Sequence, residues 1–149
     1  MKREVFKILI FLTICLISLN LASAQDMQEH IRECATAAGE DATYLKDFVV
    51  SLEAAREGER PPVYRQSLAL RKNVLYRFSV CNMEDSDGEA VLRVYDQANL
   101  ILSTWYPDTG KEYNAINFQC KKSGVYTIVI SFKDGKKGEA IGILSYVSK

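Results

Sequence analysis

From Val63 onward, apolar positions recur at every second residue. Leu68 and Leu70, then Tyr76, Phe78 and Val80, then Leu92 and Val94, then Ile116 and Phe118, then Tyr126, Ile128, Ile130 and Phe132 alternate with mostly polar neighbours. That period belongs to strands with one buried face. Turn residues separate the runs: Lys72-Asn73, Asp85-Ser86-Asp87-Gly88, Pro107-Asp108-Thr109-Gly110, Ser123-Gly124 and Asp134-Gly135. Upstream the period lengthens. Met27, Ile31, Cys34, Ala35 and Ala38 share one helical face, which predicts a short helix over about 26–38, capped by Asp26 and stopped by Gly39. Residues 43–52 fit two templates: Leu45, Phe48, Val49 and Leu52 suit a helix, whereas Tyr44, Phe48, Val50 and Leu52 suit a strand. The β-branched pair and the strands downstream favour strand. Residues 53–62 are charged, end in Pro61-Pro62 and read as an exposed connection.

An internal repeat strengthens the β assignment. Residues 68–80 align without a gap on 118–130, and each copy reads as strand, basic pair, tight turn, and strand with a core tyrosine (Tyr76, Tyr126). Two hairpin-like units of this kind suit a pseudo-symmetric sandwich in which each buries its apolar face against another sheet. The fold expected is therefore mostly β, a jelly-roll-like antiparallel β-sandwich with a short N-terminal α-helix.

The first 24 residues form a separate pattern. Lys2, Arg3 and Lys7 precede an apolar run from Ile8 to Leu21, and Ala22-Ser23-Ala24 supplies small residues at the end. This is the layout of a secretory signal peptide, 1–24, cleaved to leave a single domain from Gln25 to Lys149. Lipid anchoring at Cys15 is disfavoured, because Leu12-Thr13-Ile14-Cys15 puts isoleucine where a lipobox needs a small residue. The leader takes three of the 19 Lys and Arg and one of the 19 Asp and Glu with it, leaving 16 against 18 and a net charge of −2. That balance gives no reason to expect nucleic acid or an anionic membrane as partner. No later run is long enough for insertion into a membrane. The expected address is periplasmic or extracellular.

Tyr76-Arg-Phe-Ser-Val80, Val91-Leu-Arg-Val-Tyr-Asp96, and Ile116-Asn-Phe118 leading into Ser123-Gly-Val-Tyr-Thr-Ile-Val-Ile130 resemble the bacterial pre-peptidase C-terminal domain. That family is a small jelly-roll sandwich on exported proteins, and the resemblance spans about residues 66–132. It implies a non-catalytic accessory module, often attached to a secreted enzyme, whereas the domain expected here is one that stands without an enzyme domain.

Few residues invite catalysis. A nucleophile-imidazole pair needs a histidine, and the single one, His30, lies beside the helical stripe where a solvated role suffices. One histidine and scattered cysteines give no zinc spacing. Asp108-Thr109-Gly110 resembles the aspartic-peptidase triplet, but Pro107 and Lys111 stand where that family has an apolar and a small residue, and a tight turn explains the sequence. Gly110-Lys111 lacks the rest of a phosphate loop. No cofactor is implied. The acidic loop around Asp85, Asp87 and Glu89 offers oxygen donors of the kind calcium takes, without the EF-hand pattern, and a solvated loop is the plainer reading.

Aromatic residues are the better candidates. Trp105 and Tyr106, with Tyr95 and Tyr113 nearby in sequence, place rings next to a turn, where they either stack on a sugar or protein ligand or close the end of the core. Three cysteines remain after cleavage. Cys120 aligns with inward Leu70, while Cys81 follows Val80 and points to the other face, so strand parity disfavours a Cys81–Cys120 bond. Cys34, on the stripe of a helix lying on the outer face of a sheet, is the expected partner of Cys81. The function expected is an exported, non-catalytic binding module for a glycan or an exported protein. The alternatives are a structural component of the cell envelope and, third, a secreted hydrolase or an accessory domain of one.

Overall fold

A computed structural model describes residues 25–148. The signal peptide and the cleavage after Ala24 expected from the sequence, and Cys15, lie outside the described residues. Helix α1 spans residues 25–37 and is followed by ten strands: β1 (Ala42–Leu52), β2 (Tyr64–Leu70), β3 (Leu75–Asn82), β4 (Ala90–Asp96), β5 (Asn99–Ser103), β6 (Trp105–Tyr106), β7 (Lys111–Glu112), β8 (Ala115–Gln119), β9 (Gly124–Phe132) and β10 (Gly138–Val147). The ambiguous segment 43–52 is strand. The chain divides into two compact units, up to Glu33 and from Cys34 onward. In the first, His30 lies 3.7 Å from both Asp26 and Glu33, one helical turn away on either side. Asp26 is itself helical, so it pairs along the helix and does not cap it.

Residues 34–148 carry the sandwich. Four strands run in the order β1-β10-β3-β8 and four in the order β2-β9-β4-β5. β1 pairs with β10, β2 with β9, β3 with β8 and β4 with β5, all antiparallel. Outermost strands thus pair with outermost and innermost with innermost, as in one long hairpin rolled up on itself, and β10 on β3 with β9 on β4 completes the jelly roll.

The repeat is real but is not a pair of hairpins. β2 and β3 lie in different sheets, as do β8 and β9. Each copy is a corner that crosses from one sheet to the other and pairs with the opposite copy. Leu68 faces Tyr126 while Phe118 faces Tyr76, and Gln66 faces Ile128 while Ile116 faces Phe78. A twofold rotation that exchanges the copies therefore exchanges their registers. The two tyrosines do related work at the bends. Tyr126 donates its hydroxyl hydrogen to Lys122 O at 2.8 Å, and Tyr76 accepts from Arg71 N at 3.0 Å, so each hydroxyl ties its strand back to its own turn. The turn residue Asn73 takes a positive φ of 68°, a conformation asparagine tolerates.

Inward positions follow the two-residue period. Leu68, Leu70, Tyr76, Phe78, Leu92, Val94, Tyr126, Ile128, Ile130 and Phe132 form one buried cluster with Phe48 and Val50 of β1, while Val80, Ile116 and Phe118 pack against its margin. Burying such a side chain fully contributes about 1.5–3 kcal/mol. Tyr44 departs from this pattern. A register shift between Tyr44 and Lys46 adds a residue to β1, which reverses the parity and leaves Tyr44 exposed beside Asp47, to which its hydroxyl donates.

Two strands escape the alternation altogether. β10 turns Ala140 and Leu144 into the core, yet Ile141 and Ile143 on its other face are also 1% and 0% exposed. A strand buried on both faces has no polar beat to read. β5 hides for a different reason: in the continuous run Leu100-Ile101-Leu102 the first two residues are exposed and apolar while Leu102 is buried, and a bulge opposite Val94/Tyr95 breaks the alternation.

Candidate binding groove

The face of β3 turned away from the core carries Arg77, Ser79 and Cys81, which pair across to Ser145, Ile143 and Ile141 of β10. Cys81 is disulfide-bonded to Cys34, with 6.0 Å between the Cα atoms, and Cys120 is a buried free thiol, the pairing that strand parity leads one to expect. The bond fastens the last turn of α1 to this sheet face. α1 then ends at Gly39, whose φ of +114° suits only glycine, and a Cβ there would come within 2.6 Å of Arg77 Nη1. Gly39 thereby both stops the helix and admits the guanidinium.

Arg77 is held from three sides. Nη1 donates to Ala38 O at 2.7 Å and to Asp41 Oδ1 at 2.6 Å, Nη2 donates to Asp41 Oδ2 at 3.0 Å, and Nε donates to Asn117 Oδ1 of β8 at 2.7 Å. The hydrogen bonds from Arg77 hold the Asp41 carboxyl below its ordinary pKa. Asn117 is oriented in turn, because its oxygen must face Arg77 and its amide hydrogens face elsewhere.

Across from this base stands the β6–β7 hairpin, in which Trp105 pairs with Glu112 and Tyr106 with Lys111. Neighbouring residues of a strand point to opposite sides, so the hairpin has two unlike faces. On one, the Lys133 ammonium lies 5.2 Å from the centre of the Trp105 ring, bonds Glu112 at 2.8 Å and pairs with Glu89. Hydrogen bonds to Glu112 and then Glu89 raise the Lys133 pKa, and the bond from Lys133 lowers that of Glu89. Backbone bonds complete the attachment: Thr104 N donates to Leu92 O at 2.9 Å, Leu92 N to Thr104 Oγ1 at 2.9 Å, and Tyr113 N to Thr104 O at 2.8 Å. On the other face, the rings of Tyr106 and Tyr113 meet edge to face with centroids 6.3 Å apart. The Tyr106 hydroxyl accepts from Ser103 N at 3.1 Å, which fixes its ring.

Between these parts lies a groove of about 720 Å³, lined by Ala38, Arg77, Tyr106, Thr109, Lys111, Tyr113, Ala115, Ile116 and Asn117. Of the aromatic candidates, Tyr106 and Tyr113 are brought together there. Trp105 is half-buried under Lys133 and Tyr95 lies on β4; neither lines the groove. Arg77, Lys111 and Asn117 carry no signal in the sequence, since polar residues at outward strand positions and in a turn look like ordinary surface. Asp108 and Gly110 belong to the turn between β6 and β7, with φ of 65° at Gly110. In the acidic loop, Glu89 faces Lys133, Ser86 Oγ donates to Gly88 O at 2.7 Å, and Asp85 and Asp87 are exposed. Among the described residues no three His, Cys, Asp or Glu side chains gather to hold a metal ion, and no helix is long and apolar enough to cross a membrane.

No protein-family model and no curated protein matches the chain. Solved structures do. The periplasmic inhibitor of g-type lysozyme from Aeromonas hydrophila is similar at 12% identity and a TM-score of 0.46, over 72% of this chain and 88% of that one. A Bacillus licheniformis lipase in propeptide form is similar at 14% identity and a TM-score of 0.37, over 74% of this chain, which spans 24% of the lipase. The pre-peptidase C-terminal domain of Bacillus anthracis collagenase, the family that the segments 76–80, 91–96 and 116–130 resemble, is similar at 18% identity and a TM-score of 0.44, over 66% of this chain and 87% of that domain.

Proposed function

We propose that the protein is exported on residues 1–24, cleaved after Ala24, and acts as a non-catalytic binding module that takes a glycan or an exported protein partner in the groove beside the β6–β7 hairpin. The observation that carries this reading is the pairing of two rings, Tyr106 and Tyr113, with a concave lining that contains no histidine, carboxylate or thiol. Histidines, carboxylates and thiols are the groups that most often carry acid-base or nucleophilic chemistry. Rings fixed at a groove with a few placed polar groups suit recognition.

Screening the exported protein on glycan and exported-protein arrays, alongside Tyr113→Ala, tests it. Tyr113 is 43% exposed, so its loss should leave the thermal midpoint nearly unchanged while weakening binding by about 2 kcal/mol or more, as loss of a central aromatic contact does. Binding that survives Tyr113→Ala, or turnover of a hydrolase substrate, would overturn the reading. Intact mass of exported material should give Gln25 as the first residue; retention of residues 1–24 or a lipid on Cys15 would refute the cleavage.

A further inference from the structure

We infer that the ligand of this groove carries a carboxylate on a sugar ring, that is, a hexuronic acid unit. The inference rests on the groove being the binding site and adds the chemical class of its occupant. Every polar side chain in the lining except the threonine and tyrosine hydroxyls is a pure donor or has its acceptor used. Lys111 brings an ammonium with no ion-pair partner among the described residues. Asn117 has spent its oxygen on Arg77 Nε and keeps its two amide hydrogens. Arg77 has spent Nε and both hydrogens of Nη1, and one hydrogen of Nη2 remains. The Tyr106 oxygen accepts from Ser103 N, which leaves its own hydrogen to give. Asp41, the carboxylate nearest this set, is already bound at both oxygens by Arg77.

A site of donors, with one unpaired cation at Lys111, an Arg77 whose charge Asp41 balances, and no carboxylate in its lining, matches an acceptor-rich anion. The rings decide what else the anion carries. Tyr106 and Tyr113, set edge to face, offer a flat and a lateral apolar surface against Ala38, Ala115 and Ile116, which suits the C–H face of a pyranose beside its carboxylate. A volume of about 720 Å³ lies in the range that encloses a small ligand or a few sugar units. On the turn side the rim is polar, with Asp108, Thr109, Glu112 and Asn114 exposed, which suits the hydroxyls of a sugar.

Calorimetric titration of the exported, disulfide-intact protein with tetramers of glucuronate, galacturonate and mannuronate, each beside its neutral hexose counterpart and an acidic tetrapeptide, tests this. At least one uronate should bind ten-fold or more tighter than its neutral counterpart. Lys111→Gln should erase that margin while leaving the neutral sugar's affinity in place, and Tyr113→Ala should weaken both. Equal binding of acid and neutral sugars, with Tyr113→Ala weakening both, would overturn the carboxylate requirement and leave the groove as the site. Binding of the acidic peptide alone would overturn the sugar, and no uronate binding at all would overturn the assignment. Uronate binding indifferent to both substitutions would place the ligand elsewhere and remove the proposed function with it.

Discussion

The two corners of the sandwich, 68–80 and 118–130, are alike on one side and unlike on the other. Facing the core, Leu68, Tyr76, Phe78 and Val80 correspond to Phe118, Tyr126, Ile128 and Ile130, apolar for apolar. Facing away, Arg77 stands for Thr127, Ser79 for Val129, Asn117 for Ser67, and Cys81 for Ser131. Packing constrains the inward set in the same way twice, because both copies contribute to one close-packed interior. Nothing in the fold requires the outward sets to match. The first corner and its β8 partner have used that freedom to hold the disulfide, the Arg77 base and Asn117. Shared architecture and local chemistry thus occupy alternate residues of the same strands.

The equivalence of the cores is the easiest part to break. Phe78 and Ile128 occupy corresponding places at 0% exposure, so Phe78→Ala should cost about 3–5 kcal/mol and Ile128→Ala about 2–5 kcal/mol in denaturant unfolding. A near-neutral result at either would deny that the copies share one core. The outward contrast comes next. Cys34→Ser with Cys81→Ser should cost about 2–4 kcal/mol, since the bond closes a long stretch of the unfolded chain across a sequence separation of 47, whereas Ser131→Ala, at the position equivalent to Cys81, should lose only the hydrogen bond accepted from Arg93 Nη1 at 2.9 Å. Thiol counting on exported protein should find one buried thiol, Cys120; three free thiols, or Cys81 joined to Cys120, would contradict the pairing.

Smaller effects sharpen the symmetry. Tyr76→Phe removes the bond from Arg71 N, and Tyr126→Phe removes the bond to Lys122 O together with the weak one from the Cys120 thiol; each should cost about 0.5–1.5 kcal/mol, and a loss confined to one copy would show that only that bend depends on its tyrosine. The smallest effect is a pH dependence that the first corner has and the second lacks. Arg77 lowers the folded pKa of Asp41, so the contribution of this pair is present in full above the ordinary carboxylate range. It is lost as pH falls through the lower folded value. Asp41→Asn should remove a small part of the acid-side fall in thermal midpoint, while Thr127→Ala should leave it alone.

How much of this the sequence discloses follows from the same division. Residues 68, 70, 76, 78, 126, 128 and 130 declare their facing because polar residues such as Ser67, Arg71, Arg77, Thr127 and Ser131 alternate with them in the sequence, and Cys34 with Cys81 follows from parity. The hairpin expectation for the repeat fails because a tight turn between two amphipathic strands looks the same whether the strands pair or part into two sheets. β10 is silent because Ile141 and Ile143 are buried opposite a buried core face. In the groove, Tyr106 and Tyr113 stand out as aromatics near a turn, while Arg77 and Asn117 become legible only when β3 and β8 are known to be neighbours. Trp105 attracts the same notice as Tyr106, and strand parity sends it to the other face of the hairpin.

Recognition at the first corner is tested most directly by mapping. With a ligand drawn from the arrays or the uronate panel, amide shifts of the labelled protein should cluster at Arg77, Lys111, Tyr113 and Asn117 and fade toward Thr127 and the second corner. Shifts centred on Tyr95 and Trp105, with the groove unchanged, would contradict binding there.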